Sequence, residues 1–426
     1  MSRHSESADS GRWYTPPMVE MDLRRTFRRL AIRGKELSRK TTAALFILLL
    51  ILLLLVNGVG LGASLRGKSY FVYIGTYTHH ASKGIYLYRF WPSTGETLPL
   101  GLAAATASPA WLIVHPTRRF LYAANEYGGG AEPGNTISAY SMDTKTGKLI
   151  FLNRVSSKGV GPCHLAIDKT GKILVAANFA SGSVAAFPIR SDGSLGEASG
   201  FDQHHGSSID PVRQAGPHAH SAIVSPDNRF VLVADIGLDR LYSYRLNPSA
   251  GSLEPNDPPF AALHPGWGPR HLAFHPNGRY LYLISEMGSM ITTFAYDAAR
   301  GTVKELQTVS TLPEGFAGKS TAAEIQVDRE GKFIYASNRG DDSIGVFAID
   351  ANTGTLSPTQ HISTEGKTPR AFALDPTGQY LFAANQNSAN IAILRVNSTT
   401  GGLTSTGKTL TDSPEPSCVI FVEAKP

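Results

Sequence analysis

One phrase recurs along this chain at an interval of roughly 50 residues, and a repeat of that period sharply limits the folds open to it. It reads Pro162-Cys163-His164-Leu165-Ala166-Ile167-Asp168, a short turn, then Ile173-Leu174-Val175-Ala176-Ala177-Asn178. It returns as Pro269-Arg270-His271-Leu272-Ala273-Phe274-His275 with Tyr280-Leu281-Tyr282-Leu283-Ile284-Ser285-Glu286. It returns again as Pro369-Arg370-Ala371-Phe372-Ala373-Leu374-Asp375 with Tyr380-Leu381-Phe382-Ala383-Ala384-Asn385. Short apolar strands joined by regularly spaced turns are how a β-propeller reads in sequence, each repeat being one blade.

Six turns align, among them His115-Pro116-Thr117-Arg118, His275-Pro276-Asn277-Gly278 and Asp375-Pro376-Thr377-Gly378; Pro, Asp, Asn and Gly supply the turn geometry. The strands that follow end at Asn125, Asn178, Asp235, Ser285, Asn338 and Asn385, spaced 53, 57, 50, 53 and 47 residues apart. A third, alternating strand follows in each unit, for example Leu241-Tyr242-Ser243-Tyr244, and a Gly-containing turn then leads to a fourth. A seventh unit is split between the ends of the chain. Tyr70 to Thr76 and Gly84 to Phe90 match a second and a third strand, and Pro416 to Phe421 supplies the missing first one. Sharing a blade between the termini removes the exposed seam of an open ring. The pattern therefore predicts an all-β, seven-bladed β-propeller with four-stranded blades over residues 68–426, closed by N- and C-terminal strands in one blade.

The formal charge of +6 is local. Residues 1–40 form a basic tail; without them the chain holds 30 basic and 29 acidic residues. So near-neutral a body gives no electrostatic case for a nucleic-acid groove. The tail precedes an apolar run from Ala43 to Val56 that softens into Asn57-Gly58-Val59-Gly60-Leu61-Gly62-Ala63. A positive flank, an apolar stretch and then small residues predict a hydrophobic helix over 41–63. It acts either as a cleaved signal peptide or as a transmembrane anchor holding the protein to the membrane. Either way the propeller is expected to be exported, in the periplasm or on the extracytoplasmic face of the inner membrane. The two cysteines, Cys163 and Cys418, sit in non-adjacent repeats and read as free thiols.

The repeat also locates a site. In each blade the first strand runs along the central channel and the second returns beside it, so the start of one and the end of the other share a rim. Arg270 and Glu286 each lie eight residues from the turn at Gly278 and are expected to be neighbours. The same construction puts Glu324 near Arg339 and His164 near Asn178. The full rim adds Trp111, Glu126, His218, His220, Asp235, His271, Arg370, Gln386, Tyr77 and Cys418. So many ionisable groups suggest a pocket for a small anionic molecule, with arginines on its oxygens and a His or Glu moving a proton. The recurrent Asn is equally good strand-end capping chemistry. His204, His205, His218 and His220 lack the spacing of a zinc site, and no metal is expected.

At these residues the chain resembles a known family. Tyr73-Ile74-Gly75-Thr76-Tyr77-Thr78, the Gly-Pro-x-His units at Gly161 to His164 and Gly268 to His271, and Gly216-Pro217-His218-Ala219-His220 are similar to the bacterial seven-bladed propeller lactonases. That family includes propeller 6-phosphogluconolactonase and the fungal carboxy-cis,cis-muconate cyclase. The resemblance covers residues 68–426. It implies no metal and no organic cofactor. It places a His, an Arg, a Glu and a second Arg at one channel mouth, matching His220 (or His218), Arg270, Glu286 and Arg339; the rim construction adds His164, His218, His271, Glu324 and Arg370 as candidates around the substrate.

The implied reaction is hydrolysis of a sugar-type lactone, with an anionic lactone as the partner molecule. A neutral His titrates near working pH, whereas a Glu flanked by arginines is a weak base. His220 is therefore expected to take the proton and Glu286 to orient Arg270. Two other readings share the face: a non-catalytic propeller binding a glycan, peptide or partner protein, and ring closure as in the cyclase.

Overall fold

Every apolar run of the repeat is a strand. The computed structural model describes residues 67–128 and 133–425, and they form seven antiparallel four-stranded sheets. The basic tail and the apolar segment at 41–63 lie outside the described residues. The innermost strands are Pro416–Glu423, Pro109–Val114, Pro162–Ile167, Ala219–Val224, Pro269–Phe274, Thr321–Val327 and Pro369–Leu374, taken here as blades 1 to 7. In blade 1 the C-terminal strand pairs with Tyr70–Thr76, which continues to Gly84–Trp91 and Glu96–Ala105.

The core lies between blades rather than within them. Seven buried apolar clusters correspond to the seven interfaces. One joins Tyr280, Tyr282 and Ile284 of blade 5 to Ala322, Ile325 and Ile334 of blade 6. Blade 1 is held on both flanks, by Phe382 and Ile393 of blade 7 and by Leu112 and Leu121 of blade 2. Burying such side chains contributes about 1.5–3 kcal/mol each, so the ring is closed chiefly by apolar burial.

A polar latch accompanies that packing. The second strands carry an aromatic residue and, two positions on, a Tyr. Tyr73, Tyr122, Tyr282 and Tyr335 donate their hydroxyls to the carbonyls of Gly147, Gly193, Gly354 and Gly401 in the next blade. Those glycines have φ between 70° and 86°, and a Cβ on any of them would run into the partner ring of Phe71, Phe120, Tyr280 or Phe333.

The recurrent Asn is structural. Asn125, Asn178, Asn338 and Asn385 donate their side-chain amides to the carbonyls of Ala107, Ser157, Thr311 and Thr364. Each stitches the end of a second strand to the connection arriving from the previous blade. Asp235 replaces it in blade 4 and accepts instead from the backbone N–H groups of His218 and Gly237.

Candidate active site

All seven innermost pairings slip at the same end. The register skips Ala110, Cys163, His220, Arg270 and Arg370, one residue each, along with Ser417 in blade 1 and Ala323 with Glu324 in blade 6. A β-bulge inserts a residue the partner strand cannot match, bends the strand and re-aims a side chain. Three of these residues, Cys163, His220 and Arg370, line one cavity of about 320 Å³ at this mouth of the channel. Glu286, Arg339, Glu126 and Gln386 reach it from the ends of second strands. Tyr77, His79, Tyr127, Phe179 and Arg213 complete the wall.

Glu286 organises the mouth. Its Oε2 accepts from Arg270 Nε at 3.0 Å and Arg339 Nη2 at 2.9 Å, and its Oε1 from Arg213 Nη2 at 2.5 Å. Burial alone would raise its pKa, but Arg339, Arg270 and Arg213 override burial and hold the carboxyl at about 2. Arg270 is fully enclosed and also donates to the Ala323 carbonyl at 2.6 Å. Burial and the neighbouring Arg339 and Arg370 bring it down to about 9, which leaves it charged at neutral pH. The Arg370 guanidinium lies 5.1 Å from the centre of the Tyr77 ring, and the Tyr77 hydroxyl donates to Glu126 at 2.6 Å.

Two buried polar atoms in this wall have no hydrogen-bond partner among the described residues: Arg339 Nε and His220 Nδ1. Buried polar groups are normally paired, so such orphans call for an explanation. Burial, and next Arg270, push the His220 imidazole well below its ordinary range. The expectation of a histidine titrating near working pH is thereby corrected: His220 is neutral throughout that range. Cys163 also lines the cavity, but burial pushes its thiol up and it donates to the His220 carbonyl at 3.1 Å, a packing role. Cys163 and Cys418 are both free and buried.

His164, His271 and Glu324 form a cluster that adjoins His220 but are not among the cavity-lining residues. Trp111 stacks on His164 at 4.2 Å, His164 and His220 lie 5.2 and 5.1 Å from His271, and His271 Nδ1 is 3.3 Å from Glu324. The expected neighbours of Glu324 and His164 are therefore corrected. Arg339 faces Thr321 and His164 faces Ala177, because the bulges shift the register by one or two residues.

Burial raises Glu324 to about 8, so it stays protonated at neutral pH. The unfolded chain ionises from about pH 4.5, so the stability this neutral acid allows is complete below that pH and is lost as pH rises through 8. Glu324→Gln is accordingly expected to be close to the wild type at pH 4.5 and to exceed it at pH 8 by roughly 4 kcal/mol. A urea-melt difference that is the same at both pH values would contradict this.

His218 also stands outside the cavity: it stacks on Phe179 at 4.7 Å and its Nδ1 pairs with the Phe179 carbonyl, shaping the wall indirectly. His204 is buried between Asp235 and Tyr244, at 2.6 and 2.7 Å. Among the described residues no group of His, Cys, Asp or Glu is arranged to hold a metal ion. Sequence reasoning missed Arg213, His79, Tyr127 and Phe179. The first comes from the connection between blades 3 and 4, where the repeat spacing is longest, at 57 residues.

Fold and site together define a seven-bladed propeller with a cationic, partly unsatisfied pocket at one channel mouth. Residues 71–421 match the family described as lactonase, 7-bladed beta-propeller, and the chain belongs to it. A 6-phosphogluconolactonase of Bacillus subtilis (strain 168) is 35% identical over 303 residues, which is 71% of this chain and 84% of that protein. A 6-phosphogluconolactonase of Formosa agariphila is 32% identical over 309 residues, covering 71% of this chain and 86% of the relative. Among solved structures, the periplasmic gluconolactonase of Pseudomonas aeruginosa is 34% identical with a TM-score of 0.79, covering 84% of this chain and 100% of that one.

Proposed function

We propose that this propeller is a metal-independent lactonase that opens a sugar-type lactone bearing an anionic group. The observation that carries the reading is the pair of unpartnered buried atoms, Arg339 Nε and His220 Nδ1, in the wall of a 320 Å³ cavity. Around them four arginines, Arg213, Arg270, Arg339 and Arg370, face two carboxylates, Glu126 and Glu286. An excess of cationic groups, three of the four largely buried, beside an open volume favours an anion. The names of the relatives, 6-phosphogluconolactonase and gluconolactonase, supply the substrate class.

In this reading a water oxygen bonds to the lactone carbonyl carbon while His220 accepts the water's proton. Arg370 stabilises the oxyanion that forms. The bond from the acyl carbon to the ring oxygen then breaks, and His220 returns its proton to the leaving alkoxide. The acid so formed loses its own proton to solvent. An imidazole held well below its usual range is a weaker acceptor in the first step and sheds the proton readily in the second. Glu286 fixes Arg270 and Arg339 and takes no proton, because both its oxygens are engaged by arginines whereas His220 Nδ1 has no partner among the described residues.

We further assign residues 1–40 to a basic tail, 41–63 to an export signal or anchor and 68–426 to the lactonase propeller. The charge and hydropathy pattern supports export, as does the likeness to a periplasmic gluconolactonase. The purified protein is expected to accelerate ring opening of glucono-1,5-lactone or its 6-phosphate above the spontaneous rate, followed by proton release. Absence of acceleration with both would overturn the assignment.

A further inference from the structure

The three arginines on Glu286 are not equivalent. Arg270 and Arg339 already compensate the carboxylate, and their side chains are 2% and 15% exposed. Arg213 is 45% exposed and reaches the same carboxylate from a connection between blades rather than from a strand. A third guanidinium leaves the cluster with more positive charge than Glu286 can balance. Arg213 spends one of its five donors on Glu286 among the described residues and presents itself to the cavity.

Its connection is built to hold it there. Asp210 accepts the backbone N–H groups of Val212 and Arg213, closing a turn that ends at the fully buried Gln214. Gln214 Nε2 donates to Asp239 at 2.7 Å, and Ser208 donates to the same carboxylate at 2.6 Å. Asp239 also accepts the N–H groups of Gly266 and Gly268, at 2.7 and 2.8 Å, directly before the strand that carries Arg270. One buried carboxylate thus ties the Arg213 turn to the Arg270 strand.

We propose that Arg213 is the specificity-determining residue of this pocket, gripping with Arg339 a phosphoryl group carried by the lactone at the entrance while the carbonyl sits deeper, beside His220. The exposures order the site by depth: Arg213 at the entrance, Arg339 below it, Arg270 enclosed. A planar guanidinium suits paired contacts to phosphoryl oxygens, and Arg339 Nε supplies a further donor already desolvated. The inference rests on the lactonase reading and adds to it which lactone the enzyme prefers and which residue decides.

The test compares selectivity rather than rate. Arg213→Ala and Arg213→Lys are assayed on 6-phosphoglucono-1,5-lactone and glucono-1,5-lactone, and the same proteins are titrated with 6-phosphogluconate, gluconate and inorganic phosphate. Because Arg213 is half exposed, both variants are expected to fold. Arg213→Ala should lower the preference for the phosphorylated lactone, as a ratio of kcat/KM values, by about ten- to a hundredfold, mostly through KM, with Arg213→Lys intermediate. The affinity ratio of 6-phosphogluconate to gluconate should fall in parallel. Unchanged ratios would overturn the role of Arg213, whatever the absolute rates. Inorganic phosphate binding as tightly as 6-phosphogluconate would also overturn it, since the site would then serve the free ion. If the wild type opens neither lactone, the lactonase reading fails, and the affinity ratios still decide whether Arg213 selects phosphoryl groups.

Discussion

His220→Ala is expected to lower kcat for lactone opening by about a hundred- to ten-thousandfold, the range associated with loss of a general acid–base group. Stability should change little. His220 Nδ1 has no partner to lose, and the side chain borders an existing cavity, so the truncation enlarges a space that is already open. That separation of activity from stability is the diagnostic. A buried histidine with a purely architectural role would give the opposite pattern, a lower unfolding midpoint with kcat retained. The pH profile adds a second check. With the imidazole well below its ordinary range, wild-type kcat should be level from about pH 6 to pH 8 and should not show the fall near pH 6.5 of an unperturbed histidine. A variant retaining kcat within tenfold of the wild type would remove His220 from the proposed mechanism.

The architecture was legible because a propeller writes its geometry as a period. Turn residues, strand ends and the split blade each appear in the sequence, and the sheets follow them blade by blade. Even the recurrent Asn could be given its capping role from its place at a strand end. The site was legible in part. Counting outward from Gly278 brought Arg270 and Glu286 together, and their side chains meet at 3.0 Å. The counting misses a bulge that every blade carries, Arg270's included; there two long side chains still meet, whereas Glu324 and Arg339, and His164 and Asn178, are not register partners. Periodicity is also silent about residues outside the repeat. Arg213 belongs to a connection, and only the longer spacing between Asn178 and Asp235 hinted at it. Depth was hidden for a related reason: the repeat places Arg270 and His271 side by side on one strand, but not which of their neighbours reach the cavity.

Glu286→Ala is expected to destabilise the protein by about 3–5 kcal/mol, the usual consequence of removing one partner from a buried ion cluster. The deletion would strand the enclosed Arg270 beside Arg339 and Arg213 with their common counter-ion gone. Glu286→Gln keeps the shape and isolates the charge, and its pH dependence follows by linkage. The folded-state pKa of Glu286, about 2, lies below the ordinary 4.5. Its charge therefore contributes stability that is complete above about pH 4.5 and is lost as pH falls through about 2. A depression of that size corresponds to about 3 kcal/mol at neutral pH. Urea melts should thus show Glu286→Gln less stable than the wild type at pH 7, with the gap narrowing below pH 4.5 and closing near pH 2. A gap that persists unchanged into acid would mean that packing, not charge, is what the glutamate provides. A variant as stable as the wild type at pH 7 would mean that the three arginines do not depend on Glu286 in the folded protein, and the mouth would have to be organised around Glu126 instead.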